Sequence, residues 1–293
     1  MKQAVLLLAH GAPETLDDVE KYLEYIRPGR PLPAPVIREI KRRYEEIGGG
    51  SPLLARTREQ AEALQAVLAP VRVYFGMRNW HPFIAETMEQ MQRDSIERIV
   101  AICLAPQYSR VSVGLYFRRT QEAKRALHMT SEIVWAKSFH DHPMLIDAFA
   151  AKLLPLLPAE KVLFTAHSIP EEKVVQSPDP YSKEAKTTAS LVAERAGVED
   201  WDFAYQSEGM TGENWLGPPV ESRLDAFAAE GVRNVVIHPI GFVSDHVEIL
   251  YDVDILFRRY ARERGIGITR PESLNSSPEL ISALAGVASQ KLV

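Results

Sequence analysis

Short apolar runs of strand length alternate along the chain with longer segments whose apolar positions recur at helical spacing. The run Val162-Leu163-Phe164-Thr165-Ala166 stops abruptly at His167-Ser168-Ile169-Pro170. It reads as a buried strand that delivers an imidazole at its C-terminal end, the edge at which open α/β sheets hold their ligands. Residues 4–9 do the same before His10-Gly11-Ala12-Pro13. Phe75-Gly76-Met77 with Trp80 and Pro82 then matches Gly209-Met210 with Trp215 and Pro218, and strand 99–103 with Pro106 and Tyr116 matches strand 235–237 with Pro239 and Tyr251. Met77 and Met210 lie 133 positions apart, as do Pro106 and Pro239, whereas His10 and His167 lie 157 apart. The first copy therefore carries about 24 extra residues between its first two strands. Two related α/β halves facing each other across a cleft, each with a histidine at its rim, account for this pattern. Chance similarity of short βα units is the competing account.

In chain order the pattern predicts a strand over 4–9, a helix from Leu16 to Ile26 that Thr15 can cap, and further helices over 36–44 and 52–68. Strand 71–75, helix 82–92, strand 98–104, helix 112–127 and strand 133–135 complete the first half. A helix over 143–157 crosses to the second half. There the pattern gives strand 161–166, helix 182–196, strand 203–206, helix 219–230, strand 233–237, a helix opened by Ser244-Asp245, and a short final helix after Pro278. Such alternation argues a mostly parallel sheet in each half, so the chain is divided into 1–142 and 143–293. The extra residues form a segment over 26–57. Four prolines and a glycine within 26–35 make its first part a rigid, non-helical loop from which Arg27 and Arg30 project. Its helix ends in Arg42-Arg43-Tyr44 and is broken by Gly48-Gly49-Gly50-Ser51-Pro52. Long inserted loops tend to be functional, and guanidinium groups suit carboxylate or phosphate; a solvated basic rim is the plain alternative. The triple glycine is not a phosphate loop, because no Gly-Lys-Ser/Thr follows it and no strand precedes it.

Composition narrows the class. The chain has 293 residues, 46% hydrophobic and 25% charged, ordinary for a globular protein. A net charge of −5, with no basic run interleaved with aromatics, argues against nucleic acid as a partner. The single cysteine, Cys103, lies in an apolar strand and reads as a small core hydrophobe. It excludes a disulfide framework and an all-cysteine iron–sulfur cluster within one chain. The apolar stretch after Met1-Lys2-Gln3 is too short for a signal peptide, and no run is long enough to span a membrane. A cytoplasmic protein is expected. No coiled-coil heptad or interface pattern is visible, which fits a monomer or weak oligomer.

Chemistry concentrates at the strand ends. A helix opened by Ser244-Asp245 would set Asp245, Glu248 and Asp252 on one face. Acids at a helix N-terminus are often only caps and dipole complements. Glu248 is flanked by Val247, Ile249 and Leu250, and a carboxylate in such company must find a partner or a cation. His167 and Glu248 fall at corresponding strand ends of one half. Imidazole plus carboxylate with open positions suits Fe(II), Co(II) or Zn(II), and a His167 neutral near pH 7 suits general-base work. The other histidines take plainer readings. His140-Asp141-His142 is a polar loop more often than a chelate, His81 precedes a helix-starting proline, His128 is on the surface, and His238 or His246 could orient the reacting groups from behind. Tyr205 to Met210 with Trp215 to Pro218 fits the edge of a large flat substrate, and equally fits loop packing.

These residues resemble the ferrochelatases of the bacterial single-domain type, enzymes that insert Fe(II) into a porphyrin. The resemblance covers nearly the whole chain. It is carried by Thr165-Ala166-His167-Ser168-Ile169-Pro170, by Gln206-Ser207-Glu208-Gly209 with Trp215-Leu216-Gly217-Pro218, and by Gly241 through Asp252. Ile47 to Leu53 and Leu104 to Ser109 add to it. It implies two Rossmann-like halves around a porphyrin cleft, a chelatase-like α/β architecture. It implies that His167 and Glu248 are the metal and proton-transfer pair, and that Arg27, Arg43, Tyr44, Ser51 and Tyr116 contact the macrocycle or its propionates. It places His10 above the opposite ring face, where relatives often carry Tyr. Fe(II) is then a substrate, with no prosthetic group and no iron–sulfur cluster. Coproporphyrin III and protoporphyrin IX both remain open as the ring, and an apolar product to be handed on is compatible with weak peripheral membrane contact. One departure stands out: Leu256 occupies the place where the acidic row of Glu248 and Asp252 usually continues, which weakens a second cation site. A cobalt chelatase for a sirohydrochlorin-type tetrapyrrole and a non-catalytic haem or metal carrier are the rival readings.

Overall fold

The computed structural model describes residues 1–172, 179–209 and 213–293. The repeated pattern emerges as two four-stranded parallel sheets of the same order. The first contains β1 (Gln3–Ala9), β2 (Arg72–Met77), β3 (Arg98–Cys103) and β4 (Glu132–Ala136), ordered β2-β1-β3-β4. The second contains β5 (Lys161–His167), β6 (Trp201–Gln206), β7 (Asn234–Pro239) and β8 (Gly267–Thr269), ordered β6-β5-β7-β8. β1 and β5 hold equivalent inner places, and each is flanked on both sides by parallel partners. Helices cover both sheet faces, so these strands read as unbroken apolar runs rather than alternating ones. Met210, half of one matched pair, lies outside the described residues.

The helices are α1 (Asp18–Ile26), α2 (Ala34–Glu46), α3 (Leu53–Leu68), α4 (Ile84–Arg93), α5 (Val113–Ala126), α6 (Pro143–Leu153), α7 (Tyr181–Ala196), α8 (Val220–Ala229), α9 (Val247–Leu250), α10 (Arg258–Arg262) and α11 (Pro278–Ser289). Most lie within a few residues of the predicted bounds. Thr15 acts at the start of α1 in a reversed sense: its backbone N–H and hydroxyl both donate to Asp18, at 3.0 and 2.8 Å. Two differences matter more. β8 escapes the sequence pattern because it is three residues long and its exposed residues break the apolar run. The helix expected from Ser244 begins only at Val247, because His246 is extended, and it passes through a π-helical turn over Asp252–Phe257 before α10.

The two sheets share one core. A single apolar cluster runs from Val5, Leu7 and Ile102 through Phe149 of α6 to Phe164 and Tyr205, and takes in Leu280 and Leu284 of α11. The last helix packs against α3 as well as α6, and Arg98 donates to the Lys291 carbonyl at 3.1 Å. The sheets are therefore joined along their lengths. An open cavity lies among the loops at the C-terminal strand ends, with Glu14 on one side and Asp245 and Leu250 on the other.

The insertion is pinned there by close backbone approach. Ser51 N–H donates to the Pro13 carbonyl at 2.9 Å, and a Cβ on Gly50 would stand 1.9 Å from the Glu14 carbonyl oxygen. Gly48 and Gly49 turn the chain with φ of +108° and +97°, a region that glycine enters without strain. The Gly50→Ala substitution is expected to destabilise the fold by roughly 1–3 kcal/mol, the usual range for forced overpacking. A urea midpoint equal to that of the wild type would contradict this.

Candidate functional site

His167 is the last residue of β5, in register with Gln206 of β6. His10 directly follows β1, whose Ala9 is in register with Met77 of β2. Both imidazoles thus leave inner strands at the same edge. That these edges face one another shows in the electrostatics: among the charges felt by His10 are Glu248, His246 and His167.

The second half supplies an ion pair. His167 Nε2 lies 3.3 Å from Glu248 Oε1, and Glu248 Oε2 lies 3.3 Å from His246 Nε2. His167 and Glu248 each keep 32% of their side-chain surface open, so a guest can reach both. His167 Nδ1 bonds the Ser168 carbonyl. With an acceptor at each nitrogen, the imidazole is a donor on both sides and carries a positive charge. Burial alone would push its pKa down, but Glu248 and the Ser168 carbonyl raise it to about 9. Burial would raise Glu248, yet His167 and His246 hold it well below the usual carboxylate range. The neutral His167 expected from sequence is thereby corrected: with its pKa raised to about 9, it is an imidazolium paired with a carboxylate.

Local structure explains the geometry. Thr165 hydroxyl donates to Gln206 Oε1 at 2.6 Å, and Gln206 Nε2 donates to the Glu248 backbone carbonyl at 2.7 Å. Gln206 therefore ties two strand ends to α9. Tyr181 hydroxyl holds the His167 carbonyl at 2.7 Å. Asp252 is buried, accepts from the Ser207 hydroxyl, and is raised to about 6 by burial against that hydrogen bond. Asp245 does not join Glu248 as a common helix face would require. Because α9 starts after it, Asp245 turns toward Ser273 (2.7 Å) and Asn275 (2.8 Å). Leu256, one turn past Asp252, packs with the apolar cluster of Ile249 and Phe257.

The opposite wall differs in charge. Beyond β1 and β2 the backbone ladder continues, with Arg78 N–H donating to Ala9 and Asn79 N–H to His10, both at 2.9 Å. This sets Arg78 Nη2 at 3.1 Å from His10 Nδ1 and Asn79 Nδ2 at 3.1 Å from His10 Nε2. Burial and the Arg78 charge lower His10 to about 3, so it is neutral, and only one of its ring nitrogens can accept from these two donors. The Arg78 guanidinium lies over the Tyr116 ring at 4.7 Å. Tyr116 is buried, which pushes its hydroxyl up to about 12. Tyr44 is buried and shares a hydrogen bond with Tyr22; Tyr44 and Tyr116 both feel the Glu248 charge.

The inserted segment contributes unevenly. Ser51 is buried and lines an open cavity of about 450 Å³ with Glu14, Gly50, Arg56, Asp245 and Leu250. Arg43 bonds Glu39 at 3.1 Å and approaches Asp252 at 3.8 Å. Arg27 follows α1 and is half-buried, and the structure gives its guanidinium no link to the other site residues. Trp215 stands 6.5 Å from the His167 ring, and its indole N–H is buried without a partner among the described residues. Arg78, Asn79 and the bridging role of Gln206 were not foreseen. Only their places at matched strand ends could have marked them. His238 is a core residue whose Nε2 bonds the Phe149 carbonyl at 3.1 Å, not a support for Glu248. His140 bonds Ser138 at 2.9 Å, outside the cleft, and His128 is exposed.

Two parallel sheets of the same order, with an imidazole–carboxylate pair at the strand ends, offer a donor set suited to a divalent metal ion. The sirohydrochlorin chelatase SirB from Bacillus subtilis subspecies spizizenii shares the fold, with a TM-score of 0.63 at 14% identity over 99% of this chain and 95% of that one. The chain belongs to the ferrochelatase family: the Ferrochelatase family model matches residues 2–292. Ferrochelatase from Acidobacterium capsulatum is 46% identical over 99% of this chain and 95% of its own length. Coproporphyrin III ferrochelatase from Halalkalibacterium halodurans is 37% identical over 99% and 97% respectively. The protein is an enzyme that inserts Fe(II) into a porphyrin in haem biosynthesis. The rival readings of a cobalt chelatase and a passive carrier give way to that membership. No helix among the described residues is long and apolar enough to cross a membrane.

The ion pair has a pH signature. A histidine with a raised pKa contributes stability that is fully present below its unfolded value near 6.5 and lost as pH rises through about 9. In NMR titrations the His167 imidazole is expected to have its midpoint near 9, and Glu248→Gln is expected to lower it, since burial is then opposed only by the Ser168 carbonyl and Asp252. A midpoint that stays put in the variant would show that Glu248 does not hold the proton.

Proposed function

We propose that His167 and Glu248 are the pair at which ferrous iron meets the ring and the pyrrole protons depart. The observation that carries this reading is their 3.3 Å contact at an open edge, brought about by two separate elements. A free-base porphyrin keeps two N–H groups in a stiff ring. Iron enters only when the ring buckles and both protons leave. The His167 proton balances Glu248. A cation arriving at Glu248 takes over that balance, so the imidazole can release its proton to solvent and become a base. It then accepts one pyrrole proton, passes it to solvent and accepts the second. Charge is conserved: Fe(II) in, two protons out. Glu248 and His167 offer the ion two donors, and the ring nitrogens complete the set.

The remaining residues hold the ring. Arg27 and Arg43 grip propionates, Ser51 lies where a carboxylate entering from the inserted segment would meet it, and Tyr44 and Tyr116 bound the plane. His10 faces the other side of the ring as a neutral group braced by Arg78 and Asn79. It shapes that face between the Arg78 and Asn79 side chains. A wall that fits the buckled ring contributes distortion on the order of 1–5 kcal/mol.

His167→Ala is expected to lower iron insertion by at least ~100-fold, the lower bound for removing a general base, while porphyrin binding survives. Glu248→Gln should cut turnover far more than porphyrin affinity. Anaerobic assays that follow the porphyrin absorbance bands measure both; normal turnover in either variant would end the assignment. Arg27→Ala should weaken porphyrin binding with turnover at saturation nearly intact, and an unchanged affinity would refute its propionate role. Running coproporphyrin III and protoporphyrin IX side by side assigns the ring, since they differ by two propionates against two vinyls.

A further inference from the structure

One contact between the inserted segment and the Glu248 helix plays no part in the chemistry above. Arg42 belongs to α2. Tyr251 sits between α9 and the π-helical turn, three residues past Glu248 and next to Asp252. Arg42 Nη2 donates to the Tyr251 hydroxyl at 2.5 Å, across 209 positions of sequence. The guanidinium groups of Arg42 and Arg43 lie 5.5 and 5.1 Å from the Tyr251 ring. Tyr251 keeps only 1% of its surface exposed, so its hydroxyl needs a partner inside the protein. Arg42 is itself braced. Its Nε and Nη2 each donate to Glu39 at 2.9 Å, and Nη1 is paired with Glu46.

The segment that Tyr251 anchors has little strength of its own. α9 is four residues long and runs straight into a π-helical turn, and neither is stable without outside contacts. Gln206 ties its Glu248 carbonyl from the strand side. The tie on the opposite flank comes from α2. A planar, five-donor guanidinium can stack on the ring and hydrogen-bond the hydroxyl from a pinned position, which an ammonium cannot do equally.

We propose that Arg42 is a positioning residue for metal insertion: through Tyr251 it holds the α9–π segment so that Glu248 stays within reach of His167. This rests on the assignment of Glu248 above. It also links the part of the chain that receives the porphyrin carboxylates to the part that receives iron.

The test is a double-mutant cycle of Arg42→Met and Tyr251→Phe in the full-length enzyme, read by steady-state iron insertion and by hydrogen exchange. Each single variant should lower kcat about tenfold, the size of one charge-assisted hydrogen bond, with porphyrin KM within about twofold. The double variant should be no worse than either single one. The amides of Tyr251, Ile255 and Leu256, which bond within this segment, should exchange faster in all three. Glu46→Gln, which loses an ion pair of Arg42 but not the bond to Tyr251, should leave kcat near that of the wild type. Losses that add in the double variant would overturn the proposal. So would unchanged exchange, or a raised porphyrin KM with normal kcat, which would make Arg42 a substrate contact. A Glu248→Gln variant that kept turnover would remove the Glu248 assignment, whereas the exchange experiment reports on the clasp without reference to activity.

Discussion

The ion pair between His167 and Glu248 sets the terms for everything around it. Two opposite charges a third exposed at a cleft are costly to keep, and each holds the other in its charged form. The cost is lowered by neighbours that are themselves satisfied. His246 supports the second carboxylate oxygen, the Ser168 carbonyl takes the second imidazole proton, and Gln206 bonds the backbone of Glu248. The facing wall carries Arg78 and a neutral His10, so charge across the cleft is asymmetric: anion and imidazolium on one side, guanidinium on the other.

That asymmetry comes from a symmetric scaffold. Both sheets have the same strand order, and both place a histidine at the end of the same strand. The neighbours differ. After β2 come Arg78 and Asn79, which flank the two ring nitrogens of His10. After β6 comes Ser207, and after β7 the turn that leads to α9, which leaves His167 facing a carboxylate. Two like backbones thus yield one imidazole paired with a carboxylate and one held neutral, and the difference lies in the side chains delivered alongside.

The inserted segment links these halves in function. Its glycines press against the turn after β1, its serine lines the cavity beside Leu250, and its arginines reach Tyr251 and Asp252. The shared apolar core joins the two sheets along their lengths.

Much of this was legible along the chain, because its physics is local. An apolar run that ends at Ala-His is a buried strand with an imidazole at its rim, and its repetition, followed by later pairs at one common offset, announces two like halves. Pro and Gly mark the insertion, since they set backbone angles whatever surrounds them. What folding alone decided depends on contacts between residues distant in sequence. The helix that should have started at Ser244 starts at Val247 because His246 is extended, and this turns Asp245 toward Asn275 and leaves Glu248 to His167. His238, a strand-end histidine like the other two, went into the core against Phe149. The charge on His167 was equally invisible, because a pKa is a property of neighbours in space. Sequence determined which groups would stand at the strand ends, since that follows from hydrophobic period; tertiary structure determined which of them would meet, since that follows from how two sheets and a π-turn pack.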